Sequence, residues 1–355
     1  MSPSETRKIQ RVGTSTLTIS VPKRWAARCH LVKGDPVIIE DDGEILRITP
    51  PPGPGMLRRD LREQVIDVDY CESPNMLERA IVGNYLLGRE RLVIRSSKHL
   101  SAGHQREIQA AVRGLLGLGV IEENSNSVIL QASVDPSKYP MDTLMRRLFT
   151  LGVTMVRESM KALVEGDRLL AEQAIRREED ADQMYWLITR LLLTAQMEDG
   201  VREKLGIRHR LWIVGYRVIS KEFESVADHA EETARTVIHL LDARKAFPNG
   251  VTKGLFRISE DVLQAYASGI NALLTGDFTT ANEAIDAQEG FAEKVAALQR
   301  QLFLEVDDPE TLVHLTRILH GIERINDYAH SVAVIATNRY LEQPSNLSQP
   351  GKPGK

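Results

Sequence analysis

Carboxylates at a spacing of four residues recur along the second half of the chain. Glu178 and Asp182 form one pair, Glu224 and Asp228 a second, and Glu323 and Asp327 a third. On a helix that spacing puts both side chains on one face, a turn apart. Glu231 extends the Glu224 stripe by seven residues, and His330 extends the Glu323 stripe by the same step. Like charges so placed repel, by roughly 0.2–0.5 kcal/mol per pair. Several such stripes facing one another call for a compensating cation. Oxygen donors with an occasional His suit Mg²⁺, Mn²⁺, Fe or Zn²⁺. A single stripe of this kind is ordinarily a solvated helix face. What sets these apart is their recurrence at corresponding positions.

That correspondence comes from the elements that carry the stripes. After Asp135-Pro136 and Pro140 the pattern is helical, and six helices are expected, at 142–165, 168–197, 208–245, 251–275, 278–305 and 309–342. Phe247-Pro-Asn-Gly250 divides them into two sets. Met160-Lys-Ala-Leu-Val-Glu-Gly-Asp167 is echoed by Ile270-Asn-Ala-Leu-Leu-Thr-Gly-Asp277, and Ala171-Glu-Gln-Ala-Ile175 by Ala281-Asn-Glu-Ala-Ile285. Repeated wording in a repeated order points to internal duplication. The third and sixth helices carry Glu224/Asp228 and Glu323/Asp327 in the same place.

Glu224-Ser-Val-Ala-Asp-His-Ala230 and Glu323-Arg-Ile-Asn-Asp-Tyr-Ala329 resemble the two copies of the E-R-I-G-D-H-A signature of PhoU proteins, which are six-helix, two-repeat regulators of phosphate signalling. The resemblance covers about 140–342. It implies a metal cluster on each three-helix bundle, with Glu178, Asp182, Glu224 and Asp228 as ligands in the first and Glu323 and Asp327 in the second. It also implies contact with a phosphate ABC-transporter or signalling component. The chain departs from the pattern in two places. Ser225-Val226-Ala227 replaces Arg-Ile-Gly, and Gln288 and Ala292 stand where the first repeat has Glu178 and Asp182. Asp286, Glu289 and Glu293 lie nearby but off register.

Residues 1–50 read differently. Thr16–Pro22 is a β-rich strand, Pro22–His30 a short helix started by proline, and Val37–Glu40 with Glu44–Ile48 a hairpin across Asp41-Asp42-Gly43. A unit this small buries little core, so a homodimer is expected. Arg7-Lys-Ile-Gln-Arg-Val-Gly13, Leu17-Thr-Ile-Ser-Val-Pro-Lys-Arg-Trp25 and Leu31-Val-Lys-Gly-Asp35 resemble the swapped-hairpin SpoVT/AbrB and MazE module. That resemblance implies DNA binding. The charge agrees, because residues 1–34 hold seven basic groups against one acid, Glu5. Arg7, Lys8, Arg11, Lys23, Arg24 and Arg28 are the candidate phosphate contacts. An AbrB-type module joined to a PhoU-like one resembles an archaeal arrangement.

The expected organisation is therefore a DNA-binding and dimerisation domain at 1–50, a Pro/Gly linker at 51–56, and an α+β middle module at 57–136. PhoU-like repeats follow at 140–246 and 251–342, with a disordered tail at 343–355. In the middle module, strands are expected at 64–69, 91–95 and 127–131 and helices at 75–87 and 102–116.

Composition closes off other classes. The 355 residues include 5% aromatics and carry a net charge of −4, which conceals a basic head and a remainder at −10. No apolar run is long enough for a membrane span and no signal peptide is evident, so a cytoplasmic protein is expected. Cys29 and Cys71 lack metal or disulfide spacing. Ser15, His30 and Asp35 lack the context of a nucleophile elbow. A carboxylate-metal oxidase would need Glu-x-x-His on the stripes, and none is there. The reading is a non-enzymatic regulator of phosphate uptake. Its alternatives are an adaptor that does not touch DNA and a carboxylate-metal hydrolase.

Overall fold

A computed structural model describes residues 5–41, 46–50, 62–245, 248–342 and 344–349. The chain divides into two compact units, Met1–Glu63 and Gln64–Lys355. The linker at 51–56, the hairpin turn at Asp42-Gly43 and much of the expected tail lie outside the described residues.

In the first unit β1 (Gln10–Val12) pairs antiparallel with β2 (Thr16–Thr18), Arg11 standing opposite Leu17. Gly13, at φ +69°, opens the turn between them. The expected strand at 16–22 thus ends at Thr18. Its partner β1 was hidden because a charged Arg7–Arg11 stretch has no β-pattern. Helix α1 (Lys23–Arg28) follows Pro22. β3 (Ile38–Asp41) and β4 (Leu46–Thr49) form the second hairpin, Ile39 opposite Ile48. None of the described side chains here is fully buried, and Ile9, Leu17, Ile39 and Leu46 are 60–66% exposed. Among the described residues, one copy of this unit has no core of its own.

The second unit begins with a four-stranded sheet. β5 (Glu63–Asp67), β6 (Arg91–Arg95), β7 (Leu118–Glu123) and β8 (Ser127–Ala132) lie in the order β5-β6-β8-β7. β7 is an addition to the expected three strands. Its Leu-Gly-Val-Ile-Glu-Glu run hides behind the glycines that end the preceding helix. Helices α2 (Met76–Leu86) and α3 (Ala102–Gly114) complete the module. Leu77, Ile81 and Tyr85 of α2, Leu92 and Ile94 of β6 and Leu130 of β8 form its core.

This module is seated on the helices. The Arg190 guanidinium donates to the Tyr85 carbonyl and lies 4.6 Å from the centroid of the Tyr85 ring. Gln183 donates to the Arg113 carbonyl at 2.9 Å. Trp186 packs against both cores.

The helical region holds two bundles. The first has α4 (Met141–Glu165), α5 (Arg168–Met197), a short α6 (Asp199–Lys204) and α7 (Leu211–Asp242). The second has α8 (Asn249–Thr275), α9 (Phe278–Asp286), α10 (Phe291–Glu305) and α11 (Pro309–Leu341). The duplication is visible in the turns. Gly166 and Gly276 both end a helix at φ near +67–68°. The following Asp167 and Asp277 both accept hydrogen bonds from backbone amides two and three residues on. Phe149, Phe223 and Tyr266 pack at ring separations of 5.1–5.6 Å and join the two bundles.

The fifth expected helix, 278–305, is two helices. Gly290, in the left-handed region at φ +76°, breaks it between Asp286 and Phe291. The third begins at Leu211 instead of 208, because α6 and Gly206 (φ +74°) occupy the approach.

Candidate functional site

Helices α5 and α7 pack along much of their length. Ala174, Ala181, Ala227 and Ala230 are buried there, and such small side chains permit close approach. The carboxylates of both helices meet on the flank of this seam. Glu178, Asp182 and Asp228 each bring an oxygen within 4.8 Å of the others. Glu178 and Asp182 are half-buried, Asp228 is exposed, and Glu224 is buried at 8% exposure.

Crowding acidic groups in a partly dry seam has a clear electrostatic result. Burial, then the charges of Asp182 and Glu231, push the Glu178 carboxyl up to about 8. Burial raises Asp182 as well, with Glu224 adding to it. Burial and the adjoining Glu224 bring Asp228 up to about 6. The seam therefore holds protons near neutrality unless a cation displaces them.

One cation is already present. The Lys221 ammonium pairs with Glu224 and lies 3.9 Å from Asp228 and 5.6 Å from the centre of the Tyr185 ring. Partial burial would pull Lys221 down, but its bond to Glu224 and the two carboxylate charges outweigh this and hold it above the ordinary lysine value. Lys221 serves Glu224 first and leaves the other three carboxyls facing one another. Oxygens on an ion with bonds of about 2.0–2.4 Å stand about 3 Å apart when adjacent and about 4–5 Å apart when opposite, and the three carboxyls lie within that outer limit. Glu178, Asp182 and Asp228, with Glu224 behind them, are oxygen donors of the kind that could hold a hard divalent or ferric ion.

The second stripe is arranged otherwise. Glu323 pairs with His320 at 2.8 Å and Asp327 with Arg324 at 2.8 Å. Both partners lie on α11 itself. Across from them Gln288 sits in the turn that breaks the helix, and its side-chain oxygen accepts from Asn326 at 3.3 Å. Asp286 accepts from Asn282 at 2.8 Å, and Glu289, Ala292, Glu293 and His330 are exposed. Among the described residues no third carboxyl or imidazole joins Glu323 and Asp327 in a metal-sized group.

In the first unit Lys8, Arg11, Lys23, Arg24 and Arg28 are exposed, and Arg7 is partly covered. Arg7 pairs with Glu5 at 2.7 Å and donates to Ser20 at 3.1 Å. Lys23, Arg24 and Arg28 share one short helix. Sequence reasoning did not single out Lys221. Its signal was present as a basic residue three before Glu224, within reach on the same helix face.

Residues 145–237 and 255–336 match the PhoU domain family. Residues 10–55 match the family described as antidote-toxin recognition MazE, bacterial antitoxin. A relative named phosphate-specific transport system accessory protein PhoU homolog, from Rhizobium meliloti (strain 1021), is 26% identical over 221 residues, covering 59% of this chain and 87% of that protein. Two solved structures, PhoU from Pseudomonas aeruginosa and the phosphate transport system regulatory protein PhoU from Streptococcus pneumoniae, are each 16% identical with a TM-score of 0.46. They cover 57% of this chain and 96% and 94% of their own. Among the described residues no helix is long and apolar enough to cross a membrane.

Proposed function

As a PhoU-domain protein with a MazE-type domain at residues 10–55, this chain is, we propose, a cytoplasmic regulator of phosphate uptake that acts on transcription. The helical unit is the sensing and partner-binding part, facing a phosphate ABC-transporter or an associated signalling protein. The small basic unit pairs with a second copy and binds DNA. The observation that carries this reading is the joining of the two domains in one chain, a transport-accessory fold with a basic module. The exposed Ile9, Leu17, Ile39 and Leu46 support pairing, since a second copy would cover them.

In this reading the α5–α7 seam holds one or more metal ions through Glu178, Asp182 and Asp228. The ion supplies the positive charge that lets these carboxyls ionise together. The residues' own part is to set the geometry: α5 and α7 fix two rows of oxygens, and Lys221 neutralises Glu224. The role is structural and regulatory. No nucleophile or general base for a reaction is assigned to the seam.

Two measurements test the proposal. Transcripts of phosphate-transport genes should respond to deletion of this protein and to phosphate supply; no response would remove the assignment. Purified protein should shift promoter DNA with an affinity that falls steeply with salt, each neutralised phosphate adding about −0.9 to the log–log slope. Replacing Lys23, Arg24 and Arg28 with Ala should flatten that slope. A shift unaffected by salt or by these substitutions, or none at low salt, would favour an adaptor that works through helical surfaces alone.

A further inference from the structure

We propose a second metal site, built from His239, Glu310 and His314, where the C-terminal turn of α7 meets the start of α11. It is independent of the carboxylate seam and of the regulatory reading above. Its ligand chemistry is also different, with two imidazoles and one carboxylate in place of carboxylates alone. That set favours a borderline ion such as Zn²⁺ over Mg²⁺.

The geometry is on hand. One ligand atom from each residue lies within 4.8 Å of the others. His239 Nε2 stands 3.1 Å from Glu310 Oε1. Tetrahedral zinc with bonds of about 2.0–2.1 Å separates its ligands by about 3.3 Å. The two imidazole rings are 4.9 Å apart, at 49° to each other. Glu310 and His314 are four apart on α11, so both project from one face of that helix.

A second observation points to a ligand. His314 Nδ1 is buried and has no hydrogen-bond partner among the described residues. Buried polar nitrogens are normally satisfied, and an ion held through this nitrogen would supply the missing partner. The surroundings supply the outer contacts that metal ligands require. The Lys245 ammonium holds Glu310 Oε2 at 3.1 Å, leaving Oε1 toward the imidazoles. Asp308 holds the same ammonium at 2.9 Å and offsets its charge. Arg317, a further cation near His314, is drawn to Glu232 at 3.4 Å. His239 and Glu310 are exposed, so an ion can enter from solvent. It would tie the first bundle to the second at the ends of their longest helices.

The test uses full-length protein without a histidine tag, titrated with Zn²⁺ in excess Mg²⁺ so that the carboxylate seam is filled by the harder ion. One equivalent of Zn²⁺ should bind. His314→Ala and His239→Ala should each lose that equivalent, while an Asp182→Asn, Asp228→Asn variant should keep it. Loading with Co²⁺ should give visible d–d absorption that the His variants lack. His314→Gln serves as a second variant should His314→Ala fold poorly, with helical circular dichroism as the check. Absence of a tight equivalent in the unaltered protein, or its retention in the folded His variants, would overturn the site.

Discussion

The two bundles carry the same four-residue carboxylate spacing on their last long helix, yet among the described residues only the first gathers a third carboxyl about it. On α7, Glu224 and Asp228 look across at Glu178 and Asp182, which an unbroken α5 holds at the same level. On α11, Glu323 and Asp327 look across at a turn. The residue aligned with Glu178 is Gln288, the next aligned position is Ala292, and the helix that would present them stops at Asp286. Lacking acidic company, Glu323 and Asp327 take local partners, His320 and Arg324. A motif on one helix supplies half a site. The facing backbone decides whether there is another half.

The strongest way to break this comparison is metal content. Protein loaded with Mn²⁺ or Fe and then dialysed should lose its seam-bound metal, by elemental analysis, when Asp182 and Asp228 are both changed to Asn. Glu323→Gln with Asp327→Asn should leave the content unchanged. Equal losses from both pairs would mean that the second bundle binds metal in spite of its broken helix.

A smaller effect concerns pH. In the folded, metal-free protein Asp228 holds its proton to about 6 and Glu178 to about 8, whereas in the unfolded chain both ionise near 4. Raised folded values mean that these groups' contribution is full below about pH 4 and is lost as pH rises, through about 6 for Asp228 and about 8 for Glu178. Thermal midpoints of the apoprotein should therefore fall across that window. The slope is well under the limiting value of about 1.4 kcal/mol per pH unit per group, because both carboxyls are only partly removed from solvent. Glu178→Gln should flatten the upper part of the curve, and saturating Mn²⁺ should flatten all of it. Glu323→Gln should not alter its shape. A midpoint rising from pH 5 to 8 would contradict the seam's electrostatics.

Most of the helical region and the first cluster were legible, because amphipathic spacing, Gly-Asp turns and repeated wording are local signals. Gly166-Asp167 and Gly276-Asp277 announced their turns by residue type alone. The break at Gly290 was harder. A glycine inside a helical pattern is tolerated often enough that it does not by itself predict a turn, and the likeness to the first repeat argued for continuity. Lys221 and the His239–Glu310–His314 group were missed for another reason. The first matters only once its neighbours are known to be crowded. The second joins residues 71 positions apart on different bundles, and no periodicity links them. In the first unit, strand β1 was hidden by its charges, since an exposed two-stranded ribbon needs no apolar alternation.

A more modest test bears on why the halves differ. Gly290 corresponds to Asp180 of the first repeat, which sits within continuous α5. Any side chain at φ +76° is strained, by about 1–2 kcal/mol for a left-handed L-residue. Gly290→Ala should thus lower stability by about 1 kcal/mol if the turn persists, measured by urea unfolding at constant m. No change would mean that the segment relaxes into a continuous helix, as α5 does.

The smallest expected effect sharpens the comparison most. Gln288→Glu with Ala292→Asp restores the acidic residue types of the first repeat. If sequence alone made the site, this graft would add bound metal beyond that of the unaltered protein. The turn argues against that. Residues 287–290 are not on the helix that carries residue 292, so the four-residue spacing no longer places the two side chains on one face. Ala292 is, moreover, exposed, and Asn326 already occupies the side chain at 288. The graft should leave metal stoichiometry where it was. Adding Gly290→Ala to it removes the left-handed residue and allows the helix to close. An added equivalent appearing only in that triple variant would show that backbone continuity, and not the count of carboxylates, separates the two bundles.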